Sequence, residues 1–122
     1  MATITEDYVS FETAKLLKEK GFDKTDCKNS THFAYNADGQ FSGPSWDSKY
    51  DAPTLQMARK WLKEKYNIHI EVVHLNADRH TYYLYRYYSC QSERYVQHTN
   101  PEYSTYEQAV EAAIKYCLEN LI

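Results

Sequence analysis

The residues best suited to contact a ligand lie in one tyrosine-rich segment, residues 81–88, which reads TYYLYRYY. Successive side chains of a strand point to opposite faces, so Tyr83, Tyr85 and Tyr87 share one face. A tyrosine ring offers an apolar face and a polar hydroxyl, which suits it to interfaces. If helices cover the other face, this row is a candidate binding surface. The alternative is that cross-strand aromatic pairs simply stabilise the sheet.

A second candidate is the basic pair Arg59 and Lys60, which lies where positive charge accumulates. Residues 52–70 hold four cationic residues and one acidic residue, whereas residues 102–122 hold one cationic and four acidic residues. A basic helix attracts the phosphates of RNA and an acidic helix repels them. The alternative is that the two helices lie side by side with complementary charge, which contributes little to stability.

The sequence contains no catalytic motif. G-x-S-x-G is absent, and three glycines cannot form a P-loop or a dinucleotide-binding fingerprint. Cys117 falls on the apolar face of a predicted helix, which indicates a buried, unreactive thiol. We therefore predict no catalytic residue and no cofactor, and a small enzyme with an unrecognised site is kept as an alternative.

The five histidines do not have the spacing of a metal site. His69 and His74 fall on opposite faces of a predicted strand, and His32 follows Cys27 by five residues without a paired Cys/His motif. A zinc site needs three or four convergent ligands. We predict no metal site.

The elements that must position these residues follow from periodicity and capping. Ser10 is a good N-cap for a first helix, which ends at Gly21 with the signature of a Schellman motif. A second helix opens at Asp51 or Ala52 with Pro53 in its first turn and ends at Asn67. Between them, residues 31–35 read as a short strand, residues 38–39 as a turn and residues 42–45 as irregular chain.

Three strands and a final helix complete the chain. Alternation predicts strands at about residues 68–72, 80–88 and 94–97, with a polar turn at residues 89–92. Their connections are too short for crossover helices, so they form an antiparallel meander. Ser104-x-x-Glu107 is a capping box that opens the last helix. The predicted fold is α+β, with the order α-β-β-β-α from about residue 52 after an N-terminal helix and a short strand or hairpin.

Composition places the chain among soluble proteins. Its 122 residues predict a single domain, with residues 1–50 as an N-terminal helix plus an irregular or hairpin segment and residues 51–122 as the α-β-β-β-α body. We find no membrane-spanning run and no signal peptide. Three cysteines without disulfide spacing favour the cytoplasm, and the formal charge of −3 argues against a long-range basic field.

The order α-β-β-β-α is that of double-stranded RNA-binding domains, which makes RNA binding an alternative function. Topology alone is weak evidence for a function. In that family a lysine cluster at the start of the final helix contacts phosphate. Here that turn reads STYEQ at residues 104–108, so the lysines are missing.

Three segments carry a resemblance: SFETAKLLKEKGF at residues 10–22, APTLQMARKWL at 52–62 and YEQAVEAAIKYCL at 106–118. They resemble small uncharacterised proteins encoded by Bacteroidetes, often in their phages and mobile elements. That family has no assigned activity, so the resemblance implies no site residue. It implies a cytoplasmic accessory protein of phage type.

The leading hypothesis is therefore a non-enzymatic binding or interaction protein with a protein partner. Its candidate binding residues are Tyr83, Tyr85, Tyr87, Arg59 and Lys60. A tyrosine-rich strand at a sheet edge could also pair with its own copy and give a homodimer.

Overall fold

The computed structural model describes residues 7–22, 33–43, 46–89 and 95–122. Its contacts divide the chain into two compact units, Met1–Ala58 and Arg59–Ile122. Among the described residues, each unit has a three-stranded antiparallel sheet, and there are three helices in all. The predicted α+β class, with a three-stranded meander followed by a helix and an N-terminal helix before it, is confirmed.

The first helix has the two ends that its sequence predicts. Helix α1 spans Phe11–Glu19, and the Ser10 hydroxyl accepts a hydrogen bond from the Thr13 amide at 3.3 Å. Gly21 adopts φ 98°, and the amide of Phe22 donates to the carbonyl of Leu17 at 2.9 Å. This 6→1 hydrogen bond, formed next to a residue with positive φ, is characteristic of a Schellman motif.

The small sheet of the first unit has β1 (Ala34–Asn36) between β2 (Phe41–Ser42) and β3 (Ser48–Asp51). The predicted turn is confirmed, because Gly39 has φ 86° and its amide donates to the Asn36 carbonyl at 3.0 Å. Strand β3 was missed because the sequence SKYD shows no apolar alternation. The first residues of the strand predicted at 31–35, Thr31 and His32, lie outside the described residues.

Helix α2 spans Leu55–Tyr66 and begins later than predicted. The backbone around Pro53 is extended, because its carbonyl accepts from the Val9 amide at 3.0 Å and Thr54 forms an antiparallel bridge with Tyr8. Placing Pro53 in the first turn was therefore wrong. Asn67 ends the helix with φ 55°, as predicted.

The meander of the second unit consists of β4 (Ile68–Ala77), β5 (His80–Ser89) and β6 (Tyr95–Tyr103), in the order β4-β5-β6. All three strands are longer than predicted. Asp78 and Arg79 have φ 50° and 65°, which is the backbone pattern of a type I′ hairpin turn. Arg94 and most of the polar turn predicted at residues 89–92 lie outside the described residues.

Helix α3 spans Tyr106–Asn120 and packs against all three strands of the meander. Its N-cap is Thr105, whose hydroxyl accepts from the Gln108 amide at 3.1 Å, and the Gln108 side chain accepts from the amide of Ser104 at 3.1 Å. The capping box predicted at Ser104 and Glu107 is thus displaced by one residue. In the described ranges, no helix combines the length and hydrophobicity needed to cross a membrane.

Candidate functional site

The candidate row of tyrosines on β5 faces α3. The ring centroid of Tyr116 lies 5.5 Å from that of Tyr87 and 6.3 Å from that of Tyr85. The side chains of Tyr85 and Tyr87 are 5% and 6% exposed. Their expected exposure on a contact surface is therefore corrected, because a helix covers that face. Tyr83 is half-buried, and its ring lies 6.4 Å from that of Tyr106.

Burial under α3 keeps this cluster in its neutral form. Burial raises the pKa of Tyr85, and burial together with the hydrogen bond between Tyr87 and Tyr116 raises the pKa of Tyr87 to about 12. Burial also raises the pKa of the Cys117 thiol to about 12, and this residue has no exposed surface. The prediction of a buried Cys117 is confirmed. A thiol held protonated is a poor nucleophile.

The opposite face of the meander carries a row of three rings, one from each strand. His69 on β4 pairs with Tyr88 on β5, and Tyr88 pairs with Tyr95 on β6. The ring centroids of His69 and Tyr88 are 6.2 Å apart, and those of Tyr88 and Tyr95 are 5.4 Å apart. The side chain of Tyr95 is 54% exposed. This row was missed because the alternation of β5 defines two aromatic faces without indicating which one is covered.

A second, polar row lies beside the rings. Glu71, Arg86 and Gln97 pair across the three strands. Arg86 donates from Nε and Nη2 to the two carboxylate oxygens of Glu71, at 3.0 and 2.8 Å, and its guanidinium lies 4.8 Å from the ring centroid of Tyr95. The hydrogen bonds from Arg86 lower the pKa of Glu71.

We call these two rows together the open sheet face; its members are His69, Glu71, Arg86, Tyr88, Tyr95 and Gln97. None of the six is buried. On the same face Leu84 is only 3% exposed, whereas Leu75 and Tyr82, which lie beyond it toward the β4–β5 hairpin, are half-buried.

The structure separates the predicted basic pair. Arg59 donates from Nη1 to the Tyr106 hydroxyl at 2.7 Å and from Nη2 to the Ile70 carbonyl at 2.6 Å. Its guanidinium thus joins the start of α3 to β4, and the residue is half-buried. The side chain of Lys60 is exposed. These contacts give Arg59 a structural role.

A second aromatic cluster lies in the first unit. The ring of Phe41 stacks on that of Phe33 at 5.1 Å and contacts the rings of Tyr8 and Tyr35 at 5.2 and 5.4 Å. Phe11 continues the row, with its ring 5.5 Å from Tyr35 and 5.6 Å from Tyr50. None of the six rings is buried. We call this set the aromatic surface; its members are Tyr8, Phe11, Phe33, Tyr35, Phe41 and Tyr50.

Three lysines lie over one end of the aromatic surface. The ammonium of Lys15 is 4.9 Å from the ring centroid of Phe11, and those of Lys18 and Lys49 are 5.2 and 5.5 Å from that of Tyr50. Lys18 also donates to the carbonyl of Lys49 at 3.0 Å. Such cation–π contacts orient the lysines along the rings and leave their charge at the surface.

Among the described residues of the first unit, two large hydrophobic side chains are exposed. Phe41 is 42% exposed, and Trp46, in the connection between β2 and β3, is 96% exposed. Sequence reasoning did not find this cluster, since residues 23–50 were predicted to be a mixture of short strand, turn and irregular chain. Composition offered no signal for it, because residues 23–50 hold five aromatic residues in 28 positions, close to the 16% of the whole chain.

No metal centre is evident among the described residues, which contain no group of three or more His, Cys, Asp or Glu side chains placed to hold an ion. His69 and His74 do lie on opposite faces, since His74 pairs with Tyr83 on the α3 side and stacks on its ring at 4.9 Å. Cys27, His32 and Cys90 lie outside the described residues.

The predicted homodimer through the edge of the tyrosine-rich strand is also corrected. Strand β5 is the central strand of its sheet and is hydrogen-bonded to β4 on one side and to β6 on the other. Edge pairing requires unpaired backbone groups along a strand. Along most of its length, β5 therefore has no unpaired backbone groups with which a second copy of the chain could form hydrogen bonds.

Comparison with known proteins found no matching family model, no match among curated proteins and no match among solved structures.

Proposed function

We propose that the protein is a non-enzymatic binding protein that holds a protein partner on the aromatic surface of its first unit. The observation that carries this proposal is the exposure of Phe41, at 42%, within a contiguous set of unburied rings. Contiguous exposed apolar patches on soluble proteins mark interaction sites. Trp46, at 96% exposure, adds a second large side chain that the first unit does not bury.

The lysines define the chemistry of the partner. Lys15, Lys18 and Lys49 place three positive charges over the rings of Phe11 and Tyr50. Complementary potentials steer association and fix the register of an interface. The proposed partner therefore presents acidic side chains beside apolar ones, so that carboxylates meet the lysines while apolar groups cover Phe41.

The rival explanation is that the rings only hold a small sheet together. Strand β2 has two residues, and a sheet of this size needs side-chain packing for stability. Trp46 separates the two explanations, because a side chain exposed to this extent contributes little to folding. Loss of partner binding in a stably folded Trp46→Ser variant would favour an interface.

The proposed setting is the cytoplasm, where the protein acts as an accessory protein of a phage or mobile element. The sequence resemblance supports the origin, and three cysteines without disulfide spacing support the compartment. The proposal assigns no catalytic residue. Tyr85 and Tyr87 do not enter it, because α3 covers them.

Affinity capture from the native cell, with nuclease treatment, tests the proposal. The tagged proteins are the wild type, a Phe41→Ser, Trp46→Ser variant and the charge variant Lys18→Glu, Lys49→Glu. Tyr95→Ser, an exposed aromatic residue of the second unit, is the matched control. We expect one protein to be retained by the wild type and by the control and to be lost from both surface variants.

Melting temperatures establish that all four proteins are folded. Retention of the same proteins by all variants, or retention of none by the wild type, would contradict the proposal.

A further inference from the structure

The open sheet face has the geometry of a stacking platform. Its row of rings crosses three neighbouring strands, with His69, Tyr88 and Tyr95 in register and centroids 6.2 and 5.4 Å apart. Every nucleobase has a π-face, so exposed rings on a sheet or groove bind unpaired bases with little dependence on sequence. Proteins that recognise single strands through a sheet place aromatic residues on adjacent strands in the same way.

The polar row beside the rings supplies hydrogen-bonding groups. The Nε and Nη2 of Arg86 are bound to Glu71, whereas Nη1 takes no part in those two bonds. The guanidinium carbon of Arg86 lies over the ring of Tyr95, 4.8 Å from its centroid. Nη1 and the exposed Gln97 amide can then meet the edge of a stacked base or a phosphate oxygen.

Charge distribution favours this face over the other one. Helix α3, which covers the opposite face, begins and ends among acidic residues, and residues 102–122 hold four acidic residues and one cation. On the open sheet face the charges of Glu71 and Arg86 neutralise each other. The acidic helix is thus kept away from a phosphate backbone lying on the open sheet face.

We propose that the open sheet face binds single-stranded nucleic acid, with bases stacked on Tyr88 and Tyr95 and with Arg86 contacting a base edge or a phosphate. This surface differs from the aromatic surface, so the inference does not depend on the proposed function. It also differs from duplex binding through a basic helix. In a duplex the bases are already stacked on one another and cannot lie on the rings.

Fluorescence anisotropy with a labelled oligothymidylate of about 12 nucleotides tests this inference, because platforms of this type occupy roughly 4 to 16 nucleotides. We expect binding by the full chain at about 20 mM salt and weaker binding as salt is added. Tyr95→Ala and Tyr88→Ala should each weaken binding by about tenfold, which is typical for the loss of one stacked base.

Conservative variants keep the test independent of folding. Tyr95→Phe and Tyr88→Phe retain the stacking ring and should bind like the wild type, whereas Arg86→Met should weaken binding and reduce its salt dependence. Phe41→Ser, Trp46→Ser is the control on the other unit and should bind normally.

Four outcomes would overturn the inference. They are no binding at low salt, equal binding by the alanine variants, loss of binding in the Phe41 and Trp46 control, or equally tight binding of a duplex of the same length.

Discussion

The guanidinium Nη1 of Arg59 lies 2.7 Å from the hydroxyl oxygen of Tyr106, and its Nη2 lies 2.6 Å from the carbonyl oxygen of Ile70. One side chain thereby connects α2 to the first residue of α3 and to an edge strand of the meander. Arg59 and its sequence neighbour Lys60 consequently have different surroundings. The first is held by two acceptors, and the second is exposed.

Replacing Arg59 should therefore destabilise the protein. Arg59→Met leaves the Tyr106 hydroxyl and the Ile70 carbonyl without this donor, and we expect a loss of about 1.5 to 3 kcal/mol, the usual contribution of hydrogen bonds to a charged group. Lys60→Met is the matched control, with an expected change within about 0.5 kcal/mol. Urea unfolding followed by circular dichroism measures both. Equal stability of the two variants would show that the Arg59 contacts contribute nothing.

The two faces of β5 should differ in their tolerance to truncation. Tyr85 is 5% exposed beneath α3, so Tyr85→Ala leaves a cavity and should cost about 3 to 5 kcal/mol. Tyr95→Ala removes an exposed ring and its cross-strand contact with Tyr88, which should cost about 0.2 to 1 kcal/mol. Thermal unfolding of the two variants checks this difference. Comparable losses would mean that the covered face has been assigned wrongly.

Alkaline pH should weaken the core under α3. Burial raises the pKa of Tyr87 from its ordinary value of 10.0 to about 12, so the folded state keeps a proton that the unfolded chain releases. The stability contributed by this group is fully present below pH 10 and is lost as the pH rises toward 12. Cys117 acts in the same direction, because burial raises its pKa to about 12 as well.

Urea midpoints measured from about pH 9 to pH 11.5 should therefore fall for the wild type, and they should fall less steeply for Tyr87→Phe, which has no ionisable group at this position. Parallel slopes for the wild type and Tyr87→Phe would contradict the assignment of Tyr87 to the core.

Local sequence signals predicted most of the elements. Ser10 and Gly21 placed the ends of α1, and Asn67 placed the end of α2, because capping depends on residues within one turn. The predictions that were wrong concern positions whose conformation depends on contacts with residues far away in the sequence. Pro53 is extended because residues 7–9 pair with that part of the chain, and β3 exists because β1 provides its hydrogen-bonding partner.

The prediction of the candidate sites was limited in the same way, by contacts between residues distant in sequence. Alternation along β5 established that Tyr85 and Tyr88 point in opposite directions, since the backbone geometry of any strand requires it. It could not establish which face α3 would cover, that β5 would be the central strand, or that rings from Tyr8 to Tyr50 would form one surface. Those outcomes depend on contacts between residues far apart in the chain. The sequence determined which rings share a face, and the tertiary structure decided which of those faces is core and which is exposed.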